Sequence, residues 1–126
     1  MSEAIVFAMN IQNAIASVAV KDVKSGAAWY EKLFERGPDS TPMPEVAEWK
    51  FERGGWLQVY ELPERAGQGS CTLAVQDIER VIERLTALGI DTSERTTGEK
   101  VKTVMITDPD GNHLAFAEVI DSTMAR

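Results

Sequence analysis

The stretch IASVAVKD, residues 15–22, decides the fold, because a closely related stretch, SCTLAVQD, occupies residues 70–77. Each is a short apolar run that ends in an aspartate, and the two aspartates lie 55 positions apart. A short apolar run bounded by polar residues is typical of a buried β-strand. An aspartate after it suits the start of a helix, because its carboxylate accepts a hydrogen bond from an amide of the first turn. The sequence therefore predicts a strand followed by a capped helix, twice in one chain.

Apolar residues recur at helical spacing after both aspartates. They are Val23, Ala27, Tyr30 and Phe34 in the first helix, and Ile78, Val81, Ile82, Leu85 and Leu88 in the second. Each set lies on one side of its helix, as expected for a helix that packs on a sheet. We expect the first helix to end at Gly37-Pro38, with Gly37 in the left-handed conformation, and the second to end at Gly89.

Three strand-like segments follow each helix. They span about residues 39–42, 46–52 and 56–62 in the first half, and 91–97, 100–107 and 113–120 in the second. Turn residues separate the last two strands of each half, two glycines at 54–55 in one and DPDGN at 108–112 in the other. Aligning the two turns pairs Trp56 with His113.

The sequence thus predicts an α+β protein built from two βαβββ modules. Module one covers about residues 11–63 and module two about 69–120 of a single domain that spans 1–126. A four-stranded sheet with a helix on one face leaves its other face in need of cover. We therefore expect the two curved half-sheets to face each other around a central cleft.

The charge and the cysteine content exclude several classes of function. The 126-residue chain has a formal charge of −7 and a pI near 4.7, with no run of Lys and Arg that could bind nucleic acid. Negative charge maintains solubility and also suits a cationic ligand. Cys71 is the single cysteine, so no intrachain disulfide can form, and its apolar neighbours predict a small buried side chain rather than a nucleophile.

The N-terminal segment is apolar enough to raise the question of a leader peptide. No basic residue precedes Lys21, however, and Glu3, Asn10, Gln12 and Asn13 interrupt the apolar run. A secretory leader needs a basic N-terminal region, and a membrane span needs about 20 consecutive apolar residues. We therefore predict a cytoplasmic protein without a membrane segment.

The duplicated pattern resembles the vicinal oxygen chelate superfamily, which includes glyoxalase I, bleomycin-resistance proteins, fosfomycin-resistance enzymes and extradiol dioxygenases. The resemblance extends from about Ile15 to Ile120 and rests on two motifs. One is VAVKD (18–22) leading to WYEKLF (29–34), and the other is DPDGN before the last strand. The resemblance implies a glyoxalase/bleomycin-resistance-type fold with a central cleft. It also implies a homodimer, because family members commonly pair modules across a dimer interface.

The resemblance further implies four positions for metal ligands, which are typically His, Gln or Glu in metal-using members. By the family's spacing these positions fall on Ile15, Gln58, Ser70 and Ala115. Ile15 and Ala115 have no lone pair to offer, and Ser and Gln are poor ligands for divalent metals. Shifting the register by two residues brings in one histidine, His113, and no carboxylate. We therefore predict that the chain uses no metal and no cofactor.

Strand alternation directs a mixed set of side chains toward the cleft. The expected ligand-binding residues are Ser17, Trp56, Gln58, Tyr60, Ser70 and His113, together with Trp49, whose facing the sequence does not fix. The aromatic rings suit stacking on a planar or cationic ligand, while Gln58 and Ser70 can form hydrogen bonds with it. The alternative is that the aromatic residues only fill the space of a former metal site.

Three functions are compatible with these residues. The leading interpretation is a metal-independent protein that binds a small molecule, similar to the bleomycin-resistance branch. The second is a lyase, isomerase or dioxygenase-like enzyme of the same superfamily, either metal-dependent or using His113 as a base. The third is a regulatory domain whose cleft is vestigial. Asp108 and Asp110 are expected to serve the turn rather than acid–base chemistry, because aspartates in turns bond to nearby backbone.

Overall fold

A computed structural model describes residues 9–120 as two four-stranded sheets with one helix each. Residues 1–8, which include part of the segment considered above as a leader, lie outside the described residues. Module one contains β1 (Ile15–Val20), α1 (Val23–Phe34), β2 (Ser40–Met43), β3 (Val46–Lys50) and β4 (Trp56–Glu61). A short 3₁₀ helix at Pro63–Arg65 leads to module two, which contains β5 (Ser70–Ala74), α2 (Ile78–Ala87), β6 (Glu94–Thr97), β7 (Val101–Thr107) and β8 (His113–Val119).

The two modules have the same topology, as the internal repeat predicts. The strand orders are β1-β4-β3-β2 and β5-β8-β7-β6, and the first strand of each module pairs in parallel with its last. Ile15 pairs with Trp56 in module one, and Ser70 pairs with His113 in module two. These registers reproduce the alignment of the two turns, so the prediction of an α+β fold with two βαβββ modules is confirmed.

The strand boundaries differ from the predicted ones by at most three residues, most of all at β6. This strand was expected from residue 91 and begins at Glu94. The carboxylate of Asp91 accepts a hydrogen bond from the amide of Ser93 at 2.9 Å, which gives the backbone a local partner in place of a sheet neighbour.

Both helices begin at the predicted capping aspartates. Asp22 accepts a hydrogen bond from the amide of Ser25 at 3.0 Å, and Asp77 accepts one from the amide of Arg80 at 3.3 Å. The backbone and hydroxyl hydrogen bonds from Ser25 lower the pKa of Asp22, because they favour its ionised form.

Each helix start also receives a second carboxylate from the last strand of its own sheet. Glu61 of β4 accepts from the amide of Val23 at 3.0 Å, and Glu118 of β8 accepts from the amide of Ile78 at 2.9 Å. These carboxylates satisfy amides that have no partner within the helix and interact favourably with its dipole. The repeat therefore extends to the contacts that anchor each helix on its sheet.

The ends of the two helices differ, and one prediction is wrong. At α2, Gly89 has a φ of 77° and its amide bonds to the carbonyl of Thr86, as expected for a glycine cap. At α1, the left-handed residue is Glu35 (φ 62°), not Gly37. The reversal at Glu35 lets the carbonyl of Arg36 accept from the buried indole of Trp49 at 3.0 Å. Within residues 9–120, neither helix is long and apolar enough to cross a membrane.

One hydrophobic core lies on the helix side of both sheets. Strands β1, β4 and β8 contribute Val18, Val20, Leu57, Val59, Leu114 and Phe116 to it. Its helix residues include Tyr30, Leu33, Ile78 and Leu85. Ala16, on the same face of β1 as Val18, is exposed, because α1 lies over β3 and β4 rather than over the start of edge strand β1.

The DPDGN turn of module two is organised around one buried carboxylate. Asp108 is 4% exposed, and its Oδ1 accepts from the amides of Asp110, Gly111 and Asn112, each at 2.9 Å. Its Oδ2 accepts from the hydroxyl of Tyr30 at 2.7 Å and from Nδ2 of Asn112 at 2.8 Å. Burial and the nearby Asp108 carboxylate raise the pKa of Tyr30. Asp108 thus serves the structure of the turn, as the sequence predicts.

Asn112 connects the same turn to module one. Its side chain is fully buried, and Nδ2 also donates to the carbonyl of Ala19 in β1 at 2.8 Å. Its Oδ1 accepts from the amide of Gly69, directly before β5, at 2.8 Å. The turn therefore fixes the positions of β1 and β5, the strands that carry Ser17 and Ser70.

Candidate ligand-binding site

Each sheet has one face toward the core and one face away from it, which we call its open face. The open face of module one carries four of the predicted ligand-binding residues, namely Ser17, Trp56, Gln58 and Tyr60. The open face of module two carries two more, Ser70 and His113, which pair across β5 and β8. No other element of residues 9–120 packs over either open face.

Trp49 is the exception among the predicted residues. Its side chain is fully buried, with ring centroids 6.2 Å from Tyr30 and 5.7 Å from Phe34. It pairs with Leu57, a core residue, so strand alternation directs it toward the helix. The expectation that Trp49 contacts a ligand is therefore wrong, and Trp49 belongs to the core.

A chain of hydrogen bonds crosses the open face of module one. Ser17 Oγ donates to Gln58 Oε1 at 3.2 Å, and Gln58 Nε2 donates to Glu48 Oε2 at 2.9 Å. The three residues lie on adjacent strands in direct register, Ser17 opposite Gln58 and Gln58 opposite Glu48. Sequence reasoning missed Glu48. Adjacent residues of a strand point to opposite faces, so the buried Trp49 implies that Glu48 points to the open face. The sequence did not show which residues of β3 point to the core.

Two half-buried aromatic residues, Trp56 and Tyr60, flank this chain of hydrogen bonds. Each lies two residues from Gln58 on β4 and on the same face, about 7 Å along the strand. The ammonium group of Lys50 lies 5.9 Å from the centroid of the Trp56 ring, within the range of a cation–π contact. The open face of module one therefore combines flat apolar surface with hydrogen-bonding groups and one carboxylate.

The open face of module two is lined mainly by small residues. Ser70, Thr72 and Ala74 of β5 pair with His113, Ala115 and Ala117 of β8. The imidazole of His113 is exposed, and no side chain of residues 9–120 forms a hydrogen bond with it. A general base is oriented by a hydrogen-bond partner, and the described residues provide none for His113.

The four positions where the superfamily would place a metal do not provide ligands. Ile15, Gln58, Ser70 and Ala115 all lie on the open faces, in the register that the resemblance implies. Gln58 is already hydrogen-bonded at both ends of its amide. Within residues 9–120, no group of three His, Cys, Asp or Glu side chains is placed to hold a metal ion. The residues present therefore do not fit the superfamily's metal.

Cys71 does not form part of a reactive site. The side chain is half-buried and packs against the core, and burial, reinforced by Asp108, raises the pKa of its thiol to about 11. The thiol therefore stays protonated near neutral pH, and a protonated thiol is a poor nucleophile.

Two shallow surface depressions lie away from the open faces. One, of about 350 Å³, is lined by Ala28, Glu31, Lys32, Glu35 and Arg36 on the outer side of α1. The other, of about 140 Å³, lies between α1 and the end of α2. Neither contains any of the predicted ligand-binding residues, so they are weaker candidates than the open faces.

Comparison with known proteins identifies the family. The glyoxalase-like domain family matches residues 15–117, which is most of the chain. The chain belongs to this family. The crystal structure of a glyoxalase/bleomycin resistance protein from Catenulispora acidiphila is 35% identical, with a TM-score of 0.77 over 86% of this chain and 99% of that chain. No curated protein matches the chain in sequence.

More distant structures share the glyoxalase-like fold. A bleomycin resistance determinant encoded on transposon Tn5 is 18% identical, with a TM-score of 0.68 over 88% of this chain and 100% of that chain. TnmS3, an antibiotic-binding protein from a Streptomyces species, is 17% identical, with a TM-score of 0.70 over 86% of this chain and 96% of that chain. The family match and the 35% identical structure place the chain in the vicinal oxygen chelate superfamily, as its motifs predict.

Proposed function

We propose that this glyoxalase-like protein binds a small molecule against its open faces without using a metal. The observation that carries the proposal is the open face of module one, where Trp56 and Tyr60 flank a hydrogen-bonding amide. Small-molecule sites are typically lined by aromatic and apolar groups with a few polar groups that fix orientation. Two proteins of the same fold are described as a bleomycin resistance determinant and an antibiotic-binding protein, which supports a binding function.

The two open faces are complementary in size. At equivalent positions of the repeat the side chain is larger in module one than in module two: Trp56 and His113, Gln58 and Ala115, Tyr60 and Ala117. If the open face of a module one lies opposite the open face of a module two, the smaller residues of module two leave room for a ligand that stacks on the larger residues of module one. In this proposal, the two modules act together as one binding unit.

We propose that a second copy of the chain provides the cover that each open face lacks. No described element packs over these faces, and apolar Ile15 and Met43 are 54% and 52% exposed. A sheet face with apolar groups is stable when it packs against another layer. A homodimer that pairs module one of one copy with module two of the other would enclose a cleft between the large and small residues.

Metal independence is supported by the donor set itself. Two of the four expected ligand positions are Ile15 and Ala115, and divalent metals in this type of site need imidazole or carboxylate donors. We also propose a cytoplasmic location for the protein. No observation favours the enzyme interpretation based on His113.

Blocking the small-residue face tests this proposal. Thr72→Trp adds a large ring at an exposed position opposite Ala115, so we expect the variant to fold but to lose ligand binding. Thermal-shift measurements with a panel of planar aromatic compounds, charged and neutral, should show a raised Tm for the wild type, because a ligand at about 100 times its Kd stabilises by about 2.7 kcal/mol. The same compounds should leave the Tm of Thr72→Trp unchanged.

Thr86→Trp is the matched control, because Thr86 is an exposed threonine on α2, away from both open faces. It should respond to the compounds as the wild type does. Light scattering should report a dimer for the wild type and for the control. The proposal is wrong if no compound raises the Tm of the wild type, or if the two tryptophan variants respond alike.

A further inference from the structure

We propose that Glu48 gives this site its preference for a cationic ligand, and that Gln58 and Ser17 are the positioning residues that hold its carboxylate in place. This inference rests on the proposed binding function and specifies the class of ligand: a planar aromatic compound that carries a positive charge. It follows from the position, the hydrogen bonds and the surroundings of one side chain.

Glu48 occupies the middle of the open face of module one. It is the central residue of β3 and pairs with Gln58 on β4 and with Ser40 on β2. Its chain neighbours Ala47 and Trp49 are buried in the core, so alternation directs Glu48 to the opposite side. The side chain is half-buried, so its carboxylate is partly shielded from water. Shielding strengthens the interaction of a carboxylate with a cation.

The hydrogen bonds to Gln58 give the carboxylate a fixed orientation. An amide has a donor end and an acceptor end, and Gln58 uses its donor end for Glu48 Oε2 and its acceptor end for the hydroxyl of Ser17. Turning the amide over would place its oxygen against the carboxylate and would break the hydrogen bond to Glu48. Gln58 therefore holds one oxygen of Glu48 and leaves the other, Oε1, available to a ligand.

No positively charged side chain of residues 9–120 forms an ion pair with Glu48. Lys50, the nearest basic residue on β3, directs its ammonium group to the ring of Trp56. A ligand cation would provide the missing partner for Glu48. The attraction between the two charges needs no donor hydrogen, and it is stronger where water is partly excluded.

The aromatic rings specify the shape of the ligand. Trp56 and Tyr60 lie on either side of Gln58, so a flat ring system can stack on one of them while its charged group reaches Glu48. The faces of both rings also attract cations. At the equivalent positions of module two the residues are Met105 and Ala115, which carry no charge. The open face of module one therefore carries, beside the ammonium group of Lys50, a carboxylate that has no counterpart on the open face of module two. A ligand with a cationic group on an aromatic body would match this carboxylate.

Two probes of the same shape test this inference: N-methylacridinium, a permanent cation, and acridine, which is uncharged at mildly alkaline pH. Because the carboxylate attracts the permanent charge, isothermal titration with the full-length wild type should give an affinity at least about tenfold higher for the cation. Glu48→Gln keeps the size of the side chain and removes the charge. It should lower the affinity for the cation about tenfold and leave the affinity for acridine unchanged.

Glu52→Gln is the matched control, because Glu52 is exposed in the turn after β3 and its replacement changes the net charge by the same amount. It should bind both probes as the wild type does. Ser17→Ala should lower the affinity for the cation about threefold, and Ser17→Thr, which keeps the hydroxyl, should restore it. A structural role for Ser17 would instead change the affinity for both probes.

The outcomes distinguish this inference from the proposed function. If both probes bind equally and Glu48→Gln changes neither affinity, the protein binds planar molecules but Glu48 does not select a cation. If Glu52→Gln weakens cation binding as much as Glu48→Gln, net charge rather than Glu48 is responsible and the inference is wrong. If neither probe binds the wild type, the proposed function is wrong for planar ligands, and this inference fails with it.

Discussion

Replacing Asp108 with alanine is expected to lower the free energy of unfolding by about 3–5 kcal/mol, because several buried donors would lose their acceptor at once. The carboxylate accepts from three backbone amides, from the hydroxyl of Tyr30 and from the amide of Asn112. Tyr30 and Asn112 are fully buried, so water cannot replace the lost acceptor without opening the structure. Urea denaturation should show a lower midpoint with a similar slope.

Asp110→Ala is the control for this experiment, since it removes a carboxylate from the same turn. Asp110 is half-buried, and its side chain accepts one long hydrogen bond, from the amide of Lys21 at 3.3 Å. We expect its replacement to cost less than about 1 kcal/mol. Equal losses for Asp108→Ala and Asp110→Ala would contradict the assignment of Asp108 as the centre of the turn.

Gly67→Ala is expected to destabilise the protein by about 3 kcal/mol, because it combines backbone strain with a steric clash. Gly67 has a φ of 86°, which L side chains rarely adopt. An added Cβ would also lie 2.2 Å from the carbonyl oxygen of Asp110, and a backbone atom cannot move aside as a flexible side chain can. The segment between the modules would therefore have to separate from the DPDGN turn. Thermal or urea denaturation measures the loss.

Gly55→Ala provides a matched comparison. Nothing lies within 4 Å of the position that its Cβ would occupy, and its φ is not positive. We expect a change within about 0.5 kcal/mol. A small loss at Gly67, or equal losses at Gly55 and Gly67, would contradict the close approach of the segment between the modules to the DPDGN turn.

These two predictions concern the same junction, and the junction bears on the site. Asn112 binds the carbonyl of Ala19 in β1 and the amide of Gly69 before β5. Ser17 and Ser70 lie on those two strands, one on each open face. The turn is therefore a structural contact that fixes how the two open faces are placed. We expect variants that weaken it to lower ligand affinity as well as stability.

Much of the fold could be predicted from sequence because the decisive signals are local and occur twice. The stretches at 15–22 and 70–77 and the turn glycines at 54 and 111 each require a particular backbone conformation. Repetition of the signals in the same order and at nearly the same spacing fixed the topology and the register. The cap at Glu35 could not be predicted, because it depends on the contact of Arg36 with the distant Trp49.

Only part of the candidate site could be predicted from sequence, because not every strand that carries it has a local signal. Alternation along β1, β4, β5 and β8 placed six of the predicted residues on the open faces, because those strands follow clear turn or capping signals. Strand β3 has no such signal. Its neighbouring residues Glu48 and Trp49 point to opposite faces of the sheet, so the direction of one determines the direction of the other. An error of one residue moves every side chain to the opposite face. Assigning Trp49 to the ligand therefore concealed Glu48.

Elemental analysis of the protein purified without chelators tests the central claim, binding without a metal, most directly. The donor set at Ile15, Gln58, Ser70 and Ala115 predicts zinc, nickel, manganese and iron contents far below one atom per chain. Ligand affinity measured on the same preparation should be unchanged after treatment with EDTA. One metal atom per chain, with binding lost on its removal and restored on its return, would contradict the account.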